Sequence, residues 1–444
     1  MKKSQPLTRR RFLRHTVGAA SLLAFPTIVP ASALGLNGGT PPSGRVHIGV
    51  IACGGRSRVT SVYEDCEKSE VVAVCDPIRE RRLKKLEKHP NAKDYEDFRD
   101  VLKLGDVDAV HISTGDHWHV PISLAAARAG KDMYTEKPLG VSVEECLAAR
   151  EIVGKHKRVF QYGTQNRSMA QLRLGLELVL NGHIGEVKEI FVWAPPGHSG
   201  GSATPVLPVP EGYNFDLWLG PAPEAPFCKD RCLVQGPPNG VYHIYDYAIG
   251  FIAGWGAHAV DMLQWWADRT GMGIPVEYQG TGTIPSQGLF NTVTNWDVEC
   301  TYANGLKLRF MDDETRKEAG IPHGDEVEFG HCALFVGSRG WVALTRGGWK
   351  VFPETLYKSA KNAGEKRLPV STDHQRNFID SVLSREQPVS DLASAVRSDL
   401  ICHLSDISIR TGRAIRWDPE GETIDGDPGA LKMMSRKMRK PWTL

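Results

Sequence analysis

The sequence predicts an α/β protein whose N-terminal half is a parallel sheet layered with helices. Two observations carry this. Val46-His47-Ile48-Gly49-Val50-Ile51, Val71-Val72-Ala73-Val74-Cys75 and Ala109-Val110-His111-Ile112 are short, apolar and rich in β-branched residues, the pattern of strands buried on both faces. Helix-like stretches at 79–88 and 121–129 separate such runs, and strands alternating with helices make βαβ units. With 444 residues, 41% of them hydrophobic and 24% charged, the chain is long enough for two domains with proper cores.

Residues 1–34 read as an address rather than as fold. Thr8-Arg9-Arg10-Arg11-Phe12-Leu13 resembles a twin-arginine export signal; an apolar stretch to about Val29 follows, then Ala31-Ser32-Ala33 as a cleavage site. The apolar run is far short of the ~20 residues that span a bilayer. The expected location is therefore the periplasm, or otherwise outside the cytoplasm, with no membrane attachment once the signal is removed. Residues 35–44, rich in Gly and Pro, suit a linker.

The first domain is expected over 45–165 and a second over 166–444. The second is strand-rich, with candidates at 187–193, 276–284, 296–302, 306–311 and 332–343, interrupted by Pro/Gly loops at 195–213 and 220–240. Helices are expected over 373–384 and 392–410. The basic residues Arg436, Lys437, Arg439 and Lys440 read as a solvated surface.

Fifty-four basic against 52 acidic residues leave a net charge of +2, too small a field to argue for nucleic acid. Nine cysteines lie scattered, with no CxxC pairing another, which argues against a zinc site or a disulfide framework. Cys228 and Cys232 are the one pair close enough to bridge after export.

After the first strand comes Ala52-Cys53-Gly54-Gly55-Arg56-Ser57, where a dinucleotide fingerprint reads G-x-G-x-x-G. Gly54 keeps the middle glycine; Ala52 and Ser57 replace the other two. The second strand ends in Asp76, 22 residues on, where a carboxylate accepts the adenosine ribose hydroxyls and repels a 2′-phosphate. NAD is thus preferred to NADP, with Arg79 placed to soften the preference. Asp76 also suits a helix N-cap, with Pro77 at the first helical position. Tyr134-Thr135-Glu136-Lys137-Pro138 ends the fifth strand at the cofactor crevice. Lys137 there can serve a substrate hydroxyl or be a plain surface charge.

Taken in order, Ser113-Thr114-Gly115-Asp116-His117-Trp118-His119, Glu136-Lys137-Pro138 and Gly256-Ala257-His258-Ala259-Val260-Asp261 resemble the Gfo/Idh/MocA family of sugar and polyol oxidoreductases. So do Gly163-Thr164-Gln165-Asn166-Arg167-Ser168, Asp216-Leu217-Trp218-Leu219-Gly220-Pro221 and Arg376-Asn377-Phe378-Ile379-Asp380, and the resemblance spans about residues 45–444. It implies a Rossmann domain followed by an α+β domain with a large, mostly antiparallel sheet through which copies of the chain associate. It implies that Cys53, Gly54, Gly55, Arg56, Asp76, Thr114, Asp116, His117, His119, Glu136, Lys137 and Gln165 meet the dinucleotide. Lys137, Arg167, Tyr242 and His258 would meet the carbohydrate, with Lys137 and His258 catalytic. Imidazole suits proton exchange near neutrality; read alone, His258 also suits a core position on a Trp-rich helix. His117 and His119 have no carboxylate-rich partner motif, so no metal is expected.

One departure stands out. Many family members carry an aspartate four residues before this histidine, where this chain has Gly254. Asp246, Tyr242, Tyr245 and Asp261 are the candidates to replace it. Three functions follow: an NAD-dependent sugar or polyol oxidoreductase, a redox-neutral NAD-dependent glycosidase, or a non-catalytic sugar-binding module.

Overall fold

The computed structural model describes residues 44–232 and 240–444; the export signal assigned above lies outside them. Six parallel strands form the first sheet: β1 (Val46–Ile51), β2 (Ser69–Cys75), β3 (Lys93–Tyr95), β4 (Ala109–Ile112), β5 (Asp132–Thr135) and β6 (Phe160–Tyr162). Their order is β3-β2-β1-β4-β5-β6. The chain starts in the middle, winds to one edge, then returns past β1 to build the other half. Loops leaving β1 and β4 therefore diverge, and a crevice opens at the strands' C-terminal ends.

The segment after β1 is a 3₁₀ helix over Gly55–Tyr63. Its hydroxyls explain the tighter winding. Ser57, Thr60 and Ser61 each donate to the carbonyl three residues back, at 2.7, 2.7 and 3.0 Å. Such local bonds compete with the α-helical ladder. The next helix begins at Arg79, with Ile78 as its cap residue, so Pro77 precedes the helix rather than opening it. Asp76 contributes by accepting the Ile78 N–H at 2.9 Å.

The second sheet has nine strands: β7 (Val187–Ala194), β8 (Glu277–Thr283), β9 (Asn295–Thr301), β10 (Lys307–Asp312), β11 (Cys332–Gly337), β12 (Gly340–Thr345), β13 (Gly348–Phe352), β14 (Ile415–Asp418) and β15 (Thr423–Asp425). All neighbours pair antiparallel except β7 and β10. Both faces are covered, and alternation along β7 shows how. Ile190 and Val192 join the main core, while Phe191 and Trp193 pack with Met311, Leu334 and Trp341 on the other side.

Helices Gly256–Thr270 and Leu392–Thr411 pack on each other and on this sheet. The second is capped by the Asp391 carboxylate, and both stop at a left-handed glycine, Gly271 or Gly412.

Two expectations need correction. The run at 332–343 is two strands, because Ser338 and Arg339 turn the chain between Gly337 and Gly340. Gly340 is required there: a Cβ would lie 2.1 Å from the Phe352 carbonyl oxygen. The C-terminal basic cluster is partly structural, since Arg436 donates to the Tyr245 carbonyl and Arg439 to the carbonyls of Gly220 and Asp216. All nine cysteines are free, and Cys228 and Cys232 lie on one helical turn, with the Cys232 N–H on the Cys228 carbonyl at 3.1 Å.

Candidate active site

A cavity of about 380 Å³ opens where β1 and β4 diverge. Gly54, Gly55 and Arg56 form one wall, Asp76 and Arg81 another, and Thr114, His117 and Tyr242 a third. Ala52 holds φ +75°, a left-handed conformation that costs a non-glycine residue roughly 1–2 kcal/mol. Asp76 stabilises the strained turn, because its carboxylate accepts the Cys53 N–H at 2.8 Å. With one N–H on each oxygen, lone pairs remain for ribose hydroxyls.

Of the other expected cofactor residues, Cys53, Asp116, His119, Glu136, Lys137 and Gln165 are not on the cavity wall. His119 is buried behind it, its Nδ1 donating to the Pro138 carbonyl at 2.6 Å. Burial pushes the Cys53 thiol up to about 12, so it stays protonated. Arg79 does not line the cavity and has its backbone N–H on the Gly212 carbonyl; Arg81 lines it and is the arginine that acts on Asp76 most strongly.

The cavity fits a dinucleotide. Its glycine wall permits close approach of a phosphate, Asp76 stands at the end of β2, and two buried polar atoms beside it, Asp116 Oδ2 and His117 Nδ1, have no partner among the described residues.

Beyond the cavity lies a charged cluster. Arg56 Nη2 is 2.8 Å from Glu136 Oε1, an ion pair in contact without hydrogen-bond alignment. Gln165 bridges, donating to Glu136 at 3.1 Å and to the Tyr134 hydroxyl at 2.6 Å. Gly163 makes room: a Cβ there would lie 2.8 Å from the Glu136 Cα. Next to Glu136, Lys137 precedes a cis proline and donates from Nζ to the carbonyl of Gly254. That carbonyl stands four residues before His258, where the aspartate was expected.

Burial lowers the Lys137 ammonium, opposed by Glu136 and Asp116. Burial, then Lys137 and Arg346, holds His258 well below the usual imidazole range, so the ring is neutral near pH 7. Asp116, buried and facing Lys137, is raised to about 7.

Among the proposed replacements for the missing aspartate, Asp261 is taken by Arg167, and Tyr245 lies between the guanidinium groups of Arg410 and Arg436, 3.6 and 3.7 Å from its ring centre. Tyr242 lines the cavity, but Glu136 and then Asp116 are the acids that act electrostatically on Lys137.

Arg167 is not a pocket residue. It is 2% exposed, binds both oxygens of Asp261 at 2.8 and 2.7 Å, and donates to Ser394 at 2.5 Å. Its neighbour Gln165 does face Glu136. The two lie on a 3₁₀ turn, Gln165–Ser168, where positions two apart point about 120° away from each other.

Sequence reasoning missed Asp399, Arg346 and His331. Asp399, on helix Leu392–Thr411, accepts the N–H groups of Leu139 and Gly140 at 2.9 and 3.2 Å and the Tyr162 hydroxyl at 2.7 Å. It thereby fixes the loop that follows Lys137. A carboxylate among apolar positions of a predicted helix was the available signal. Cys146 and His403 lie within 4.8 Å of it. Burial keeps the Cys146 thiol well above its ordinary value, which disfavours a thiolate ligand.

Comparison with known proteins agrees with this arrangement. Residues 46–164 match the oxidoreductase family's NAD-binding Rossmann fold, and 172–329 with 349–444 match its C-terminal alpha/beta domain. Inositol 2-dehydrogenase of Salmonella paratyphi B is 33% identical over 152 residues, 33% of this chain and 44% of that protein. The chain thus spans less than half the length of that relative. Rhizopine catabolism protein MocA of Rhizobium meliloti is 31% identical over 320 residues, 68% of this chain and 96% of that protein. A glycosyl hydrolase family 109 protein of Solibacter usitatus matches at 34% over 117 residues, 24% of this chain and 27% of that protein. In fold, the chain is similar to the WlbA dehydrogenase of Chromobacterium violaceum, solved with NADH and UDP-GlcNAcA, at a TM-score of 0.61 and 17% identity over 85% of this chain and 97% of that one. With both of its halves matched in sequence order, the chain belongs to the Gfo/Idh/MocA oxidoreductase family and carries that family's NAD-binding Rossmann fold.

Proposed function

We propose that the protein is an NAD-dependent oxidoreductase acting on a secondary hydroxyl of a sugar or polyol. The observation that carries this is the hydrogen bond from Lys137, just after β5, to the carbonyl of Gly254, four residues before His258 on the helix packed on the second sheet. When bound, NAD supplies the two-electron acceptor for the substrate carbon. Lys137 supplies positive charge and N–H donors to the substrate oxygen. His258, neutral and desolvated, accepts the hydroxyl proton, and Asp116 holds or releases a proton beside Lys137 as the cluster's charge changes. In this reading residues 45–165 hold the dinucleotide and 166–444 the substrate. The nine-stranded sheet joins copies of the chain, so a strictly monomeric protein in sedimentation would remove that last element.

The family 109 match favours a second reading, in which the same site cleaves a glycoside without net redox change. Absorbance at 340 nm, followed across sugars, polyols and aryl glycosides, separates the two. A stable rise that needs an external acceptor supports the oxidoreductase. A transient rise that decays as product forms supports the glycosidase. A purified protein that holds no dinucleotide and cannot be loaded sinks both.

Asp76 supports NAD over NADP. Asp76→Ala is expected to weaken NAD binding by about 1–3 kcal/mol, the cost of a lost hydrogen bond in a buried site. Calorimetry showing tighter NADP than NAD binding by the unaltered protein would mean that Arg81 overrides the aspartate.

The Arg9-Arg10 pair, the apolar stretch and the Ala31-Ser32-Ala33 site support export by the twin-arginine route of a protein already folded around its cofactor. Replacing Arg9 and Arg10 by Lys is expected to leave loaded protein in the cytoplasm; undiminished export would refute the assignment.

A further inference from the structure

Arg346 follows β12 and lies near the proposed catalytic pair, acting electrostatically on both Lys137 and His258. The β11–β12 register aligns Ala333 with Leu344, which carries on to set His331 opposite Arg346 on the same face of the sheet. The His331 ring centre is 6.5 Å from that of His258 and 5.5 Å from that of Trp255. From the other side, Arg346 Nη2 comes to 3.5 Å from Gln165 Oε1, and Gln165 bonds Glu136 next to Lys137.

Arg346 is half-buried and forms no ion pair among the described residues, while Glu136, the carboxylate that acts on it electrostatically, is in contact with Arg56. Arg56 and Arg58 line the dinucleotide cavity, where they would meet its phosphates; Arg346 does not line it. Burial and the repulsion of Arg56 lower the Arg346 guanidinium, only partly opposed by Glu136. Desolvating a charge without a partner is costly, and a ligand anion removes that cost. A planar guanidinium fork matches a carboxylate in two parallel hydrogen bonds.

We propose that the substrate is a sugar acid, a polyhydroxylated carboxylate whose carboxylate pairs with Arg346 while the carbon to be oxidised faces Lys137 and His258. The facing of the oxidised carbon toward Lys137 and His258 rests on the oxidoreductase reading, whereas the carboxylate contact with Arg346 is a matter of binding alone. The NADH-loaded protein is titrated calorimetrically with D-glucuronate, D-galacturonate and D-gluconate, and with the neutral counterparts D-glucose, D-galactose and D-glucitol. At least one acid is expected to bind roughly 10–100-fold tighter than its neutral counterpart, the range of a charge-assisted hydrogen bond. Arg346→Met should abolish that preference, and Arg346→Lys should keep part of it. NAD affinity should be unchanged in both variants, which also reports that their fold is intact. Equal binding of acids and neutral sugars by the unaltered protein overturns the proposal. So does an Arg346→Met variant that loses NAD affinity, since the arginine would then belong to the phosphate site. An acid that binds through Arg346 without changing the 340 nm absorbance of the NAD-loaded protein upholds the carboxylate site and counts against the oxidoreductase reading instead.

Discussion

Lys137→Ala and His258→Ala are each expected to lower turnover by roughly 10²–10⁴-fold, the range for a positioned acid–base group, with NAD affinity changed by far less. The geometry separates the two effects. Asp76, Gly54 and Gly55 surround the dinucleotide cavity, whereas Lys137 and His258 lie outside its wall, with Lys137 bonded to the Gly254 carbonyl and acting electrostatically on His258. The pH profile of kcat/KM carries a second signature. Folding lowers the His258 imidazole, so loss of rate on acidification should begin below pH 6.5. Folding also lowers the Lys137 ammonium, which brings the alkaline limb below about 10.4. Removing Asp116, raised to about 7, should lower the alkaline limb further, because its carboxylate is one of the two that hold the lysine proton. Turnover in both alanine variants equal to the unaltered protein on the same substrate would take the chemistry away from these residues.

The parts of the site that sequence revealed are those whose roles are local. Asp76 ends a strand, Gly54 follows one, and Lys137 stands between a strand and a proline; each is positioned by neighbours within a few residues. β1, β2 and β4 were legible for the same reason, since each is a short apolar run rich in β-branched residues, whereas Lys93-Asp94-Tyr95 of β3 and Phe160-Gln161-Tyr162 of β6 carry no such pattern. What sequence hid depends on partners far along the chain. Arg436 seemed a solvated charge because its acceptor, the Tyr245 carbonyl, is 191 residues away. Asp399 serves the amides of Leu139 and Gly140, about 260 residues before it. Arg346 acquires its meaning only when the β11–β12 hairpin sets it beside His331, and that hairpin read as one long strand because its turn, Ser338-Arg339, has no Asn-Gly or Asp-Gly signal. Arg167 shows the opposite error. Its motif was in the right place, but nearness in sequence to Gln165 stood in for nearness in space.

Arg167 therefore yields a prediction about stability rather than substrate binding. Arg167→Met should lower stability by about 3–5 kcal/mol, the usual result of removing one partner of a buried ion pair. The Asp261 carboxylate it leaves behind is fully buried, already raised by burial, and held down chiefly by Arg167. Without the arginine it rises further above its unfolded value near 3.9. A group raised in the folded state binds protons more tightly there than in the unfolded chain, so stability increases as pH falls toward the unfolded value. The urea midpoint of Arg167→Met should thus lie closer to that of the unaltered protein at pH 5 than at pH 8. The double variant Arg167→Met/Asp261→Leu removes both charges, and it should recover most of the loss because the site, packed against Trp265, accepts apolar volume. Arg167→Met that folds with undiminished stability, yet raises KM for the active sugar, would return Arg167 to the substrate pocket and contradict the buried pair.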